Sequence, residues 1–204
     1  GSNVHDAVED FYNSVSVAYA ASMKSYGFNN VVKYFNEFIP IENPQRGLFT
    51  LGEDEHLRRY MHVEAQRFMD CEDPQYFLPI VNEVTLDAVV EIEGVLVHLT
   101  GIVDRMFADE SGRCHIHELK TGMWKNKPVK WNSMREEMAY YVYLLDEAEH
   151  DTLGNLSAEY WGWDHTGGDS LFRGREPVTT KPIENMMDSL KKLVRTHKMY
   201  KGDN

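Results

Sequence analysis

Three side chains carry the first chemical signal in this sequence: Asp104, then Glu118 after thirteen intervening residues, then Lys120 one residue beyond. Two carboxylates and an ammonium gain little by pairing on a surface, where ion pairs are worth about 0–1 kcal/mol. Around a hard divalent cation the same set has a use. Carboxylates are the oxygen donors that Mg²⁺ accepts while keeping several waters. A cation so held polarises a phosphoryl group and lowers the pKa of an attacking water. The carbonyl of Leu119 supplies a further oxygen between Glu118 and Lys120. Lys120 can orient the water or offset charge building on phosphate oxygens. Taken alone, the three residues leave two readings open, a plain surface ion pair or a metal site for phosphodiester hydrolysis.

Such a set needs two neighbouring strands. Residues 101–108 and 113–119 are extended-type runs separated by the polar Asp109-Glu110-Ser111-Gly112, the pattern of a β-hairpin. Side chains alternate along a strand, so Glu118 and Lys120 point one way and Leu119 the other. Asp104, on the paired strand, can share the face of Glu118. His115 and His117 fall on the opposite face and are expected to cover the back of the sheet.

The elements around this hairpin follow from periodicity. Residues 5–26 carry a helical stripe of Val8, Phe11, Tyr12, Val15 and Tyr19, with Gly27 as a stop. A short helix over 30–38 ends at Pro40, a loop follows around Pro44 and Gly47, and 53–69 is a long helix closed by Asp73-Pro74. Residues 80–91, 95–107 and 113–119 read as a three-strand antiparallel meander. Then come a helix over 134–145, a strand over 157–163 and a glycine-rich loop over 164–175. Thr180 caps a last helix with Pro182 in its first turn and Ile183, Met186, Met187, Leu190 and Val194 on its buried face. The fold class is therefore α+β: a mixed sheet, made of the meander and a further strand, flanked by helices.

At 204 residues, 42% hydrophobic and 26% charged, the chain suits a soluble globular domain with a full core. Gly1-Ser2 reads as the remnant of a cleaved tag. No apolar run approaches the ~20 residues of a membrane span, and no secretory leader is expected. Cys71 and Cys114 cannot make a four-thiolate set, so neither a zinc ribbon nor an iron–sulfur cluster is expected within the chain. Sparse cysteine suits a cytoplasmic, intracellular setting, or a host cytoplasm for a viral protein. The net charge of −12 argues against indiscriminate nucleic-acid binding. Yet Lys120, Lys125, Lys127, Lys130 and Arg135 form a stretch with no acidic residue, and Trp124 and Trp131 are interleaved with them. That mixture can stack bases in a basic groove, or the tryptophans can simply pack. Arg105 has two outlets, a phosphate oxygen or a neighbouring carboxylate.

Gly101-Ile-Val-Asp104-Arg, Glu118-Leu-Lys120-Thr-Gly and the helix segment Glu137-Met-Ala-Tyr-Tyr141 together resemble the PD-(D/E)XK nuclease superfamily. The motifs span about residues 80–145. They are most similar to the RecB-like exonuclease branch with its CRISPR-associated members, which shows G-x-[IV]-D-R, [DE]-x-K-T-G and a helix with Q-x-x-x-Y. The resemblance implies a restriction-endonuclease-like core over 76–204, a helical part over 1–75, and one compact domain overall. It implies Mg²⁺ or Mn²⁺ and an upstream helical histidine as an extra metal ligand. His56 is the best candidate and His62 the runner-up. Glu83 stands where the branch often has a glutamate. Glu137 and Tyr141, four apart on one helix face, would touch the metal-bound water or the DNA backbone. Glutamate at 137 keeps an acceptor but lacks the amide donors of the branch's glutamine.

The function implied is a metal-dependent deoxyribonuclease, an exonuclease on single-stranded or end-containing DNA. His56, Asp104, Glu118 and the Leu119 carbonyl would hold metal, with Lys120 as catalytic cation. Protein partners would belong to a repair, replication or CRISPR context, and no membrane is involved. Two other functions fit the same residues: a non-catalytic DNA-binding or assembly module that retained the fold, and an acidic adaptor mimicking nucleic acid.

Overall fold

A computed structural model describes residues 2–40, 42–43, 47–48, 51–108, 110, 114–124, 127–147, 157–164, 171–177 and 180–200, some of them by backbone alone. Three helices open the chain: α1 (Ser2–Ser14), α2 (Val17–Lys24) and α3 (Phe28–Asn36). The periodicity predicts one helix over 5–26, but the chain breaks at Ser16. Its backbone is extended, and its hydroxyl oxygen accepts from the Tyr19 amide at 3.1 Å, capping α2. Gly27, with φ of 103°, turns the chain into α3 in a conformation that glycine takes without strain. A short ribbon, β1 (Glu42–Asn43) with β2 (Gly47–Leu48), occupies the expected loop, and α4 (Leu51–Asp70) follows.

The main sheet has five strands in the order β3-β4-β5-β6-β7. β3 (Val81–Ile92) and β4 (Val95–Ala108) form a long hairpin. Its turn residues Glu93 and Gly94 both have positive φ, 53° and 75°, as a tight two-residue turn requires. β5 (Cys114–Trp124) pairs antiparallel with β4. Helix α5 (Lys127–Glu147) then crosses over so that β6 (Ser157–Asp164) runs parallel to β5. β7 (Leu171–Pro177) returns antiparallel where a loop was expected, and α6 (Thr180–Tyr200) closes the chain. Gly174 within β7 hides the strand from propensity, whereas pairing to β6 decides it.

The sheet lies between two helical layers. One face packs Phe107 and Leu119 with Val8, Phe11 and Tyr12 of α1, Phe35 of α3, and Leu57, Tyr60 and Phe68 of α4. The other packs Val103, Met106 and Ile116 with Met134, Met138, Val142 and Leu145 of α5 and Val194 of α6. The outer end of the β3–β4 hairpin is tied to α6, since Arg195 donates to Glu93 at 2.9 Å and Lys198 to the Glu93 carbonyl.

Along β4 the alternation of faces slips at one point. Leu99 and Val103 face the α5 layer, and so does Met106, three residues on rather than two. β3 slips at the matching place, with Val84 and Val81 on that same side. The residue between is Glu83, at φ 53°, and the β3–β4 pairing skips from Asn82↔Arg105 to Val84↔Val103. The position skipped on β4 is Asp104.

Candidate active site

Backbone pairing fails at this level on both sides of β5 as well. The β4–β5 ladder ends at Arg105↔His117, and continuing its register sets Asp104 opposite Glu118. The β5–β6 register shifts between Leu119 and Met123. Where the ladder lapses, carboxylates take over the amides. Leu119 N–H donates to Asp104 Oδ2 at 2.9 Å, and Asp104 N–H donates to Glu118 Oε1 at 3.3 Å. Buried carboxylates need such donors, and Glu118 is only 4% exposed. Asp104 and Glu118 are thus brought together, with Leu119 between the strands and Lys120 two residues beyond Glu118. The side chain of Lys120 lies outside the described residues.

His5 of α1 completes this corner. Its Nε2–H donates to the Leu119 carbonyl at 2.7 Å and stands 3.7 Å from Asp104 Oδ2. Nothing in the local sequence marks His5, and its contact with Leu119 joins residues 114 apart. Glu9, one turn further along α1, hydrogen-bonds Glu83. Burial raises the Glu9 pKa, and that hydrogen bond and the charge of Glu83 raise it further.

His56 lies inside, 2% exposed on α4. Burial depresses its imidazole to about 4, and His5 adds to the effect. The ring is therefore neutral at physiological pH, the form in which histidine binds metal. His62 is exposed and sets its ring edge-on against Phe28, on another face of the helix.

From the opposite layer, α5 contributes Tyr141, whose hydroxyl is 3.0 Å from the Ile102 carbonyl and 3.1 Å from Glu137 Oε1. Its single proton can serve one of these at a time. Burial pushes this hydroxyl well above its ordinary pKa, and the charges of Glu118, Glu137 and Asp104 add to the shift. Glu137 and Tyr141 therefore stand beside the two carboxylates. Gly101 explains how the helix comes so close, because a Cβ there would meet Tyr141 and Leu144 at 3.2 Å and Tyr140 at 3.3 Å.

Arg105 corrects an expectation. It is 1% exposed and cannot reach a DNA backbone. The slip at Asp104 turns it toward the helical layer, where it pairs with His117 Nδ1 at 2.9 Å and lies 5.2 Å over the Tyr12 ring. Tyr12 also donates to Glu64, which is bound by Arg67. This buried network holds β4 from behind. The face of His117 follows the expected alternation, and its buried ring meets the Arg105 guanidinium together with the Phe107 and Tyr60 rings.

Of the expected DNA-contacting residues, Arg135 on α5 is partly exposed and donates to Asn132 at 2.9 Å. Lys125 lies outside the described residues. So do the side chains of Trp124, Lys127, Lys130 and Trp131, whose backbones belong to β5 or α5.

The donor set suits a hard divalent ion. Asp104 Oδ2 and the Leu119 carbonyl converge on one electropositive N–H, and Glu118 stands opposite Asp104. Among the described residues, no three His, Cys, Asp or Glu side chains enclose an ion as they lie. The carboxylates are turned instead to the Leu119 and Asp104 amides.

A family model for the PD-(D/E)XK nuclease superfamily matches residues 1–200. The chain belongs to that superfamily, whose nucleases generally use divalent ions such as Mg²⁺ or Mn²⁺. No curated protein matches it. Among solved structures, a protein from Eubacterium rectale provisionally named an exonuclease is 14% identical, with 94% of this chain and 70% of that one covered, at a TM-score of 0.43. A protein called SSO0001 is 9% identical at a TM-score of 0.42, with 57% of this chain covered. The chain spans about half the length of SSO0001.

Proposed function

We propose that this chain is a metal-dependent deoxyribonuclease of the RecB-like branch, acting as an exonuclease on single-stranded or end-containing DNA. The observation that carries the reading is the placement of Asp104 opposite Glu118, beside the Leu119 carbonyl, where three ladders lapse together. Asp104, Glu118, the Leu119 carbonyl and His56 are the residues that would hold Mg²⁺ or Mn²⁺. When bound, such an ion polarises the phosphoryl group and acidifies the attacking water. Lys120 offsets negative charge developing on the phosphate oxygens. Tyr141 keeps its proton across physiological pH, and with Glu137 it offers a donor and an acceptor beside the carboxylates. Water oxygen bonds to phosphorus as the P–O3′ bond breaks, leaving a 5′-phosphate. The helical part, 1–75, supplies His56 to the core over 76–204. Basic residues from Lys120 to Arg135, with Trp124 and Trp131, would contact the DNA strand through phosphate pairing and base stacking.

The test is digestion of end-labelled single- and double-stranded DNA, linear and circular, with Mn²⁺ and with EDTA. Mononucleotide release from linear substrates in Mn²⁺ alone is expected. Inertness toward every substrate in saturating Mn²⁺ would leave a non-catalytic DNA-binding or assembly module in its place.

A further inference from the structure

We propose that His5 is an additional ligand of the metal site, supplied by the first helix. This rests on the nuclease reading above. The ring is already at the site, because Nε2 is 2.7 Å from the Leu119 carbonyl and 3.7 Å from Asp104 Oδ2. Both oxygens are donors in the set that would hold the ion. An N–H is stabilised there by the same electronegative convergence that would stabilise a cation.

The ring is also held in place. Val4, Ala7, Val8 and Phe11 of α1 are buried in the helical layer, fixing the helix on which His5 sits. Its side chain keeps 31% of its surface exposed, so it can turn without unpacking the core. Toward the carbonyl, Nε2 must carry the proton. Toward a metal, the neutral ring carries it on Nδ1 and presents the Nε2 lone pair, so only the tautomer changes. The first helix would then act as a strap across the β4–β5 junction, drawn in when the ion binds.

Two substitutions separate ligation from mere support of the carbonyl. His5→Gln keeps an amide N–H able to donate to Leu119 but provides no imidazole. His5→Ala provides neither. Mn²⁺ binding is measured by calorimetry, and imidazole nitrogen coupling on bound Mn²⁺ by electron-spin-echo spectroscopy. Thermal melts in EDTA confirm that each variant folds. Expected are a loss of at least ~10-fold in Mn²⁺ affinity for both variants and a weakened nitrogen signature in His5→Gln. An unchanged nitrogen signature in His5→Gln overturns the proposal, whether affinity is kept or lost. Asp104→Asn serves as the separate control. If it binds Mn²⁺ as the parent does, the nuclease reading itself fails. If it loses binding while His5→Gln does not, only the His5 assignment falls.

Discussion

Leu119 and Asp104 are joined by a hydrogen bond at the point where the β4–β5 ladder stops, the amide of one donating at 2.9 Å to Oδ2 of the other. The bond fixes the carboxylate beside the Leu119 carbonyl, so one strand position presents a backbone oxygen and orients a side-chain oxygen together. Strand pairing alone cannot do this, since a regular ladder would use up the amide and the carbonyl.

Replacing Asp104 with Asn keeps an oxygen acceptor for the Leu119 amide but removes the charge. Cleavage is expected to fall by at least ~10³-fold, because several kcal/mol of charge stabilisation is lost. The melting temperature in EDTA should change little. Single-turnover digestion with Mn²⁺ at saturation measures the first, and parent-like rates would remove Asp104 from the chemistry.

Arg105→Ala should act on stability. The guanidinium is 1% exposed and bonded to His117, so its loss leaves the buried His117 Nδ1 without this donor while Arg67 still holds Glu64. A cost of about 1–3 kcal/mol is expected from the buried acceptor left unsatisfied, read from urea unfolding. The salt dependence of DNA binding by the folded fraction should match that of the parent. A shallower salt slope with unchanged stability would mean that Arg105 reaches phosphate after all.

Gly101→Val tests the approach of α5. Its added atoms meet Tyr140, Tyr141 and Leu144, starting from a Cβ at 3.2–3.3 Å. Overpacking of this kind costs about 1–3 kcal/mol and should displace Tyr141 from the carboxylates. Melting temperature and cleavage rate should therefore fall together.

Glu9 gives a pH signature. Burial, then the hydrogen bond and charge of Glu83, hold its carboxyl above the ordinary 4.5. The folded state keeps that proton longer than the unfolded chain does. The stabilisation is thus complete below the unfolded value and fades as pH rises through the elevated folded one. Above that window the two carboxylates repel. Glu9→Gln should raise the melting temperature by roughly 1–2 °C at about pH 7.5 and leave it near the parent's at about pH 4. The opposite ordering, a gain only in acid, would contradict the pairing with Glu83.

The sequence makes the Asp104–Glu118 relationship legible because a hairpin converts spacing into register. The meander, α4 and α6 were equally plain, since period 2 and period 3.6 differ over a dozen residues. β7 was not legible, because Gly174 weakens its strand character and only the neighbouring β6 defines it. The inward turn of Arg105 was hidden by the slip at Asp104, which arises from two strands failing together. His5 was beyond reach for the same reason. Its neighbour lies on a strand 114 residues away, and no local window spans that distance.

That span also governs when the site can exist during synthesis. The helix bearing His5 is synthesised 114 residues before the carbonyl it bonds. The amino-terminal helices must therefore wait for β5 before this corner can close. An emerging chain cannot close this corner until three of the five strands of its sheet have been translated.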